Sequence, residues 1–225
     1  IYLMTTVFKT WTRPLNLIIN SNYFKKLIQY LEAQYNLSKF EFNGIKIYPE
    51  KKNVFKCFKC DFNKLKVVII GKEPFMDHSG GLAFDSNWES INLHPTAEVI
   101  RHKIENEFYN GFNLIHDFTL DYLMEQHVLL LNESLTVTNN KSHKELWKEF
   151  IVAVIEAIQN NHTGIVFCID KTSELINLIN LKTQYLITFE NPSEYEYNPN
   201  AWDFKFQTIN DILEQNNGKE HIINF

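Results

Sequence analysis

Lys66-Val67-Val68-Ile69-Ile70-Gly71-Lys72-Glu73-Pro74-Phe75, with Gly80-Gly81-Leu82-Ala83-Phe84 close behind, decides how this chain is read. An apolar, β-branched run stops at a glycine, and a carboxylate, a proline and an aromatic ring follow at once. That is the pattern of a buried parallel strand. Glu73 then falls at its carboxyl end, where open α/β sheets bind their ligands.

Moving outward, three more apolar runs share the same layout. Val128-Leu129-Leu130-Leu131 ends at Asn132, Gly164 to Ile169 ends at Asp170, and Gln184 to Thr188 runs on towards Asn191. Helical periodicity separates them. Segment Asn22 to Tyr35 carries Phe24, Leu27, Ile28 and Leu31 on one face, and a helix is expected near Val54 to Phe58. Pro95 sits in the first turn of a helix to about Phe108, and another covers Leu120 to Glu125. Ser142 is placed to cap a helix from His143 to about Asn160; Thr172 to Ile179 and Phe204 to Glu214 complete the set. Alternating strands and helices predict an α/β fold of three layers, α/β/α, around a central four-stranded parallel sheet. All four strands then end on one edge, which brings Glu73, Asn132, Asp170 and Asn191 together.

The 225 residues, 44% of them hydrophobic and 14% aromatic, suit one substantial core. A single domain over residues 4–225 is expected, with Met4 read as a start residue. No apolar run approaches the ~20 residues a membrane-spanning helix needs, so a soluble intracellular protein, a monomer, is expected. Three cysteines, an odd number, argue against a disulfide framework, and Cys57 and Cys60 lack the second ligand pair of a structural zinc site. No metal and no cofactor are expected. The net charge of −5 weighs mildly against a nucleic-acid protein, although a small basic face can sit on an acidic body.

The motifs resemble those of the family-1 uracil-DNA glycosylases. Gly71-Lys72-Glu73-Pro74-Phe75-Met76 stands for the usual Gly-Gln-Asp-Pro-Tyr-His, and Gly81-Leu82-Ala83-Phe84 for Gly-Leu-Ala-Phe. Val128 to Asn132 with Leu135-Thr136-Val137 is similar to the uracil-reading segment. Ser142-His143 with Trp147 matches the next helix, and Asn191-Pro192-Ser193 falls where His-Pro-Ser is expected. Together with Ile47-Tyr48-Pro49 and Val54 to Phe58, these pieces keep the family's order over most of the chain.

The resemblance implies an enzyme that hydrolyses the N-glycosidic bond of deoxyuridine in DNA and leaves an abasic site. It implies Glu73 and Asn191 as catalytic residues, with Asn132, Phe84, Phe75 and Lys72 binding the substrate. Asn132 would read the N3 and O4 edge of uracil with one amide. Phe84 would stack on the base, and Phe75 would keep the bulk that excludes thymine's methyl group. Lys72 suits a phosphate contact or a solvated position equally. Pro95, Thr96, Ser142, His143, Thr172 and Ser193 match positions that pinch phosphates through hydroxyls and amides, and Tyr195 stands where the family inserts a leucine into the duplex. Uracil-containing DNA is the expected partner; a DNA-mimicking glycosylase inhibitor or a replication protein are further candidates.

The departures set a second expectation. Glu73 adds a methylene to the family's aspartate, and Asn191 replaces its histidine, as in the mismatch-specific uracil glycosylases. Weakened activity fits these changes, and so does a uracil- or DNA-binding module serving viral replication or acting as a decoy. The short loop from Pro74 to Phe84 and the run Cys168 to Thr172 are similar to the poxvirus members; Leu129 to Asn132 is closer to cellular and bacterial ones.

Overall fold

The computed structural model describes residues 8–38, 44–76, 79–86, 95–110, 119–191, 200 and 202–225. Its strands are β1 (Ile47–Tyr48), β2 (Val67–Gly71), β3 (Val128–Asn132), β4 (Val137–Thr138), β5 (Lys141–Ser142), β6 (Val166–Asp170) and β7 (Tyr185–Phe189). The helices are α1 (Asn16–Ile19), α2 (Asn22–Leu37), α3 (Pro95–Phe108), α4 (Asp121–Glu125), α5 (Lys144–Asn161) and α6 (Lys205–Asn217).

The four long strands form one parallel sheet in the order β3-β2-β6-β7. Every residue of β2, β3 and β6 is buried, which is why these segments read as continuous apolar runs rather than alternating ones. Helices flank the sheet in the expected α/β/α arrangement. In α2 the Ser21 hydroxyl accepts from the Phe24 amide at 3.1 Å, and Phe24, Leu27, Leu31 and Tyr35 turn inward. Helix α5 buries Trp147, Phe150, Ile151, Val154, Ile155 and Ile158, and Phe150 stacks on Phe24 at 5.1 Å. Helix α6 packs on β6 and β7, with Phe206 against Trp202. No helix among the described residues is long and apolar enough to cross a membrane.

Three expectations are corrected. The segment around Val54 to Phe58 is not an α-helix but three successive 3-10 turns, Lys51–Asn53, Lys56–Lys59 and Phe62–Lys64. Its backbone is claimed from outside: the Trp11 indole donates to the Cys60 carbonyl at 2.7 Å, and the Phe62 amide donates to the Thr10 hydroxyl at 2.9 Å. Those bonds replace the ones that would propagate a helix. Residues 174–178 form a 3-10 turn for a similar reason, because the side chains of Asp170 and Ser173 accept from the amides of Thr172 and Leu175. The third is α5, which starts at Lys144 instead of His143. Ser142 lies in β5, part of a small antiparallel sheet of order β1-β4-β5 that two-residue strands could not announce in the sequence.

Candidate active site

The parallel register fixes the edge where the strands end. Gly71 sits opposite Asn132, and Asp170 opposite Phe189. Pairing continues past the strands, since the Glu133 amide donates to the Gly71 carbonyl at 2.9 Å and the Ser134 amide to the Lys72 carbonyl at 3.0 Å. Lys72, Glu73, Asn132, Asp170 and Asn191 therefore share one edge.

Gly71 is there for space. A Cβ on it would lie 2.5 Å from Asn132 Oδ1, 3.1 Å from the Ala83 Cβ and 3.4 Å from Phe84 Cζ. The amide of Asn132 and the ring of Phe84 thus meet above a glycine. Asn132 is 2% exposed. Buried amides are almost always partnered, by protein or by ordered water, and a ligand's polar edge can take that place.

Phe84 arrives on the loop 79–86, in a left-handed conformation with φ of 65°. Its ring meets Trp202 edge-on at 5.7 Å and Phe189 at 6.0 Å. Trp202 packs on Phe189 at 4.2 Å and donates its indole N–H to the Glu190 carbonyl at 2.9 Å, so the aromatic layer is tied to the end of β7. Phe84 is a core aromatic on one side while its Cζ reaches the Gly71 floor.

Glu73, Phe75 and Asn191 are half-buried, with Pro74 buried between the first two. Lys72 is more open, and its Nζ lies 3.6 Å from Asp170 Oδ2. Asp170 is itself buried; its Oδ1 accepts from the Thr172 amide at 2.8 Å and from the Thr172 hydroxyl at 2.5 Å. One carboxylate therefore orders both the exposed Thr172 and the Lys72 side chain. Lys171 pairs with Glu190 beside it.

The other expected DNA contacts are placed unevenly. Thr96 is buried in the first turn of α3. Pro95 opens that helix, with its side chain outside the described residues, as Ser193 and Tyr195 are altogether. Ser142 is exposed, and its hydroxyl accepts from the Lys144 amide at 3.3 Å. His143 departs from the expectation of a phosphate contact. Its ring is turned inward, 1% exposed, with Nδ1 2.9 Å from Thr136 Oγ1. Trp147 Nε1 donates to the same hydroxyl at 2.8 Å. Burial, with Lys141 nearby, pushes the imidazole pKa down and favours the neutral ring. Any phosphate contact by this segment falls to its backbone and to Ser142.

Two charged residues escaped the sequence reading. Asp85, next to Phe84, is fully buried; its Oδ1 accepts from the Gly80 amide at 2.7 Å, and its Oδ2 lies 3.5 Å from Lys56 Nζ. A carboxylate five residues after a Gly-Gly pair was a faint signal. Nothing in the sequence joined it to Lys56. The three cysteines are free and buried, and burial raises their thiol pKa values, Cys60 to about 12. Among the described residues no cluster of three or more His, Cys, Asp or Glu could hold a metal ion.

No family profile matches the chain. Individual relatives do. The uracil-DNA glycosylase of Borreliella burgdorferi is 31% identical over 226 residues, covering 96% of this chain and 97% of that protein. The uracil-DNA glycosylase of Mycoplasmopsis pulmonis is 33% identical over 210 residues, covering 89% and 90%. This chain belongs to the uracil-DNA glycosylase family. The crystal structure of mimivirus uracil-DNA glycosylase superposes with a TM-score of 0.68 at 20% identity, over 93% of this chain and 91% of that one. A mimivirus UNG variant solved in complex with UGI gives 0.73, over 93% and 86%. The structural likeness agrees with the fold derived above.

Proposed function

We propose that this protein hydrolyses the N-glycosidic bond between uracil and deoxyribose in DNA, leaving an abasic site, and acts as a monomer without metal or cofactor. The observation that carries the reading is the buried side chain of Asn132 at the Gly71 floor, within reach of the Phe84 ring. The names of the relatives point to the same reaction.

A base inside a duplex is out of reach, so the nucleotide must swing out into the mouth. Asn132 Oδ1 then accepts from uracil N3–H while its Nδ2 donates to O4, a pairing that cytosine's reversed edge refuses. The base stacks on Phe84, and Phe75 occupies the space a 5-methyl group would need. As the C1′–N1 bond breaks, its electron pair leaves on the base and positive charge builds on the sugar. The Glu73 carboxylate offsets that charge and orients the water that adds to C1′ and loses its proton. Asn191 donates to O2 of the departing anion. Pro95, Thr96, Ser142, Thr172 and Ser193 hold phosphates on either side, with Lys72 close by and Tyr195 filling the gap in the stack. A mimivirus UNG variant is solved in complex with UGI; a DNA-mimicking inhibitor would compete with DNA for this mouth.

Glu73 and Asn191 set the rate. A displacement of about 1 Å costs on the order of 100-fold, and a weakened donor to a developing anion about 10²–10³. Excision is therefore slow relative to a site with aspartate and histidine. The test is a single-uracil oligonucleotide incubated with the protein and then treated with alkali. Strand scission at the uracil is expected. No scission at stoichiometric protein over hours, alongside clear binding, would replace the enzyme by a module that recognises uracil without cutting.

A further inference from the structure

Asp85 is a buried charge that the chemistry at the mouth leaves unused. Both of its oxygens are engaged: the Gly80 amide donates to Oδ1 at 2.7 Å, Lys56 Nζ faces Oδ2 at 3.5 Å, and the Leu82 amide also favours the charged form. Lys56 is itself nearly buried and also meets Asp121 Oδ1 at 3.0 Å, at the start of α4. Lys56, and Asp121 through it, are the charged groups that face Asp85 among the described residues.

The loop these charges hold is the one that presents Phe84. It has three attachments. The Ala83 amide donates to the Leu130 carbonyl of β3 at 3.2 Å, Leu82 and Ala83 are sealed in the core, and Asp85 ties Gly80 to Lys56. Gly80 has no room for a Cβ, because the Asp85 carboxylate fills that space. Phe84 itself is held at a positive φ, which a bulky L-residue adopts only when its surroundings impose it. Well-packed apolar residues would serve stability at least as well as a buried ion pair. What a carboxylate adds is direction: it grips an amide of its own loop and a cation from another segment at the same time.

We propose that the Lys56–Asp85 pair positions the stacking ring, holding loop 79–86 so that Phe84 stands over Gly71 against the extruded base; this rests on the glycosylase reading above. The pair acts through Phe84 and touches no reacting atom. Burial pushes the Asp85 carboxyl up to about 7, against the opposing pull of Lys56 and the two amides. Below that pH the carboxyl is neutral, attracts Lys56 less and accepts more weakly from Gly80. Ring placement then loosens on the acid side while the fold itself tightens, since a buried neutral carboxyl is easier to accommodate than a charged one. Opposite trends in activity and stability mark positioning and not mere scaffolding.

The experiment is single-turnover excision from a single-uracil oligonucleotide by the wild type, Asp85→Asn, Lys56→Met and the double variant. Each single variant should raise the half-saturating protein concentration about 10-fold, part of the energy of one stacked base. The maximal rate should change by less than about threefold, as expected when binding alone is lost. The double variant should be no worse than the worse single, because both act through one pair. In the wild type the half-saturating concentration should rise as pH falls through about 7, and Asp85→Asn should lack that rise. A fluorine placed on the Phe84 ring gives a readout independent of catalysis: its ¹⁹F resonance should titrate in the wild type and stay fixed in Asp85→Asn. Wild-type cleavage with unaffected single variants, or losses that multiply in the double, would overturn the role of the pair and leave the glycosylase reading intact. Absence of wild-type cleavage would overturn that reading; the fluorine titration then decides positioning, and a stationary resonance rejects it.

Discussion

Gly71→Ala tests the floor of the site directly. The added Cβ would lie 2.5 Å from Asn132 Oδ1, where ordinary contact begins near 3.4 Å. The amide must therefore withdraw by about 0.9 Å, close to the ~1 Å displacement that costs on the order of 100-fold in a positioned reaction. The Ala83 Cβ at 3.1 Å has to yield by a few tenths of an ångström, and Phe84 Cζ at 3.4 Å need not move. Gly71 has no positive φ, so alanine brings no backbone strain there. Overpacking of this kind destabilises by ~1–3 kcal/mol, which a protein of ordinary stability survives. The expected variant melts somewhat lower, remains folded at 25 °C, and excises uracil about 100-fold more slowly in single turnover. Excision at the wild-type rate from a folded Gly71→Ala protein would show that Asn132 does not work from this position, and the assignment of the base-reading amide would go with it.

Asn132→Asp keeps the shape but replaces the Nδ2 donor by an oxygen facing O4, so excision should fall by at least ~10³ with the melting temperature little changed; a wild-type rate removes Asn132 from the site. Thr136→Val leaves His143 Nδ1 and Trp147 Nε1 without their shared partner, and at ~1–3 kcal/mol for each unsatisfied buried group urea unfolding should show a loss of about 2–6 kcal/mol. Asp85→Asn should also report on stability. The folded-state pKa of Asp85 lies above its unfolded value, so its contribution is greatest at acid pH and is lost as pH rises through about 7. Relative to the wild type, the variant should melt distinctly higher at pH 8 than at pH 5; a gap independent of pH would contradict the assigned titration.

Three strands of the sheet were legible because they are buried on both faces. Val67 to Ile70, Val128 to Leu131 and Val166 to Ile169 have no solvent side to mark with polar residues, and each is punctuated where the chain must turn. Helices α2, α5 and α6 were legible from their periodic apolar faces. The turns at 51–64 and 174–178 were not, since their hydrogen bonds go to Thr10, Trp11, Asp170 and Ser173 and local periodicity carries no trace of such partners.

At the mouth the same division holds. Chain order and strand ends were enough to bring Glu73, Asn132 and Asn191 to one edge, because a parallel sheet with helical crossovers must deliver all its carboxyl termini to the same side. Which way a side chain faces is a different matter. His143 turns in to Thr136 and Trp147, Asp85 finds Lys56 across 29 residues of sequence, and Phe84 is held left-handed between Trp202 and the Gly71 floor. These depend on contacts between segments far apart along the chain, where burial and charge pairing outweigh anything a residue's immediate neighbours prefer.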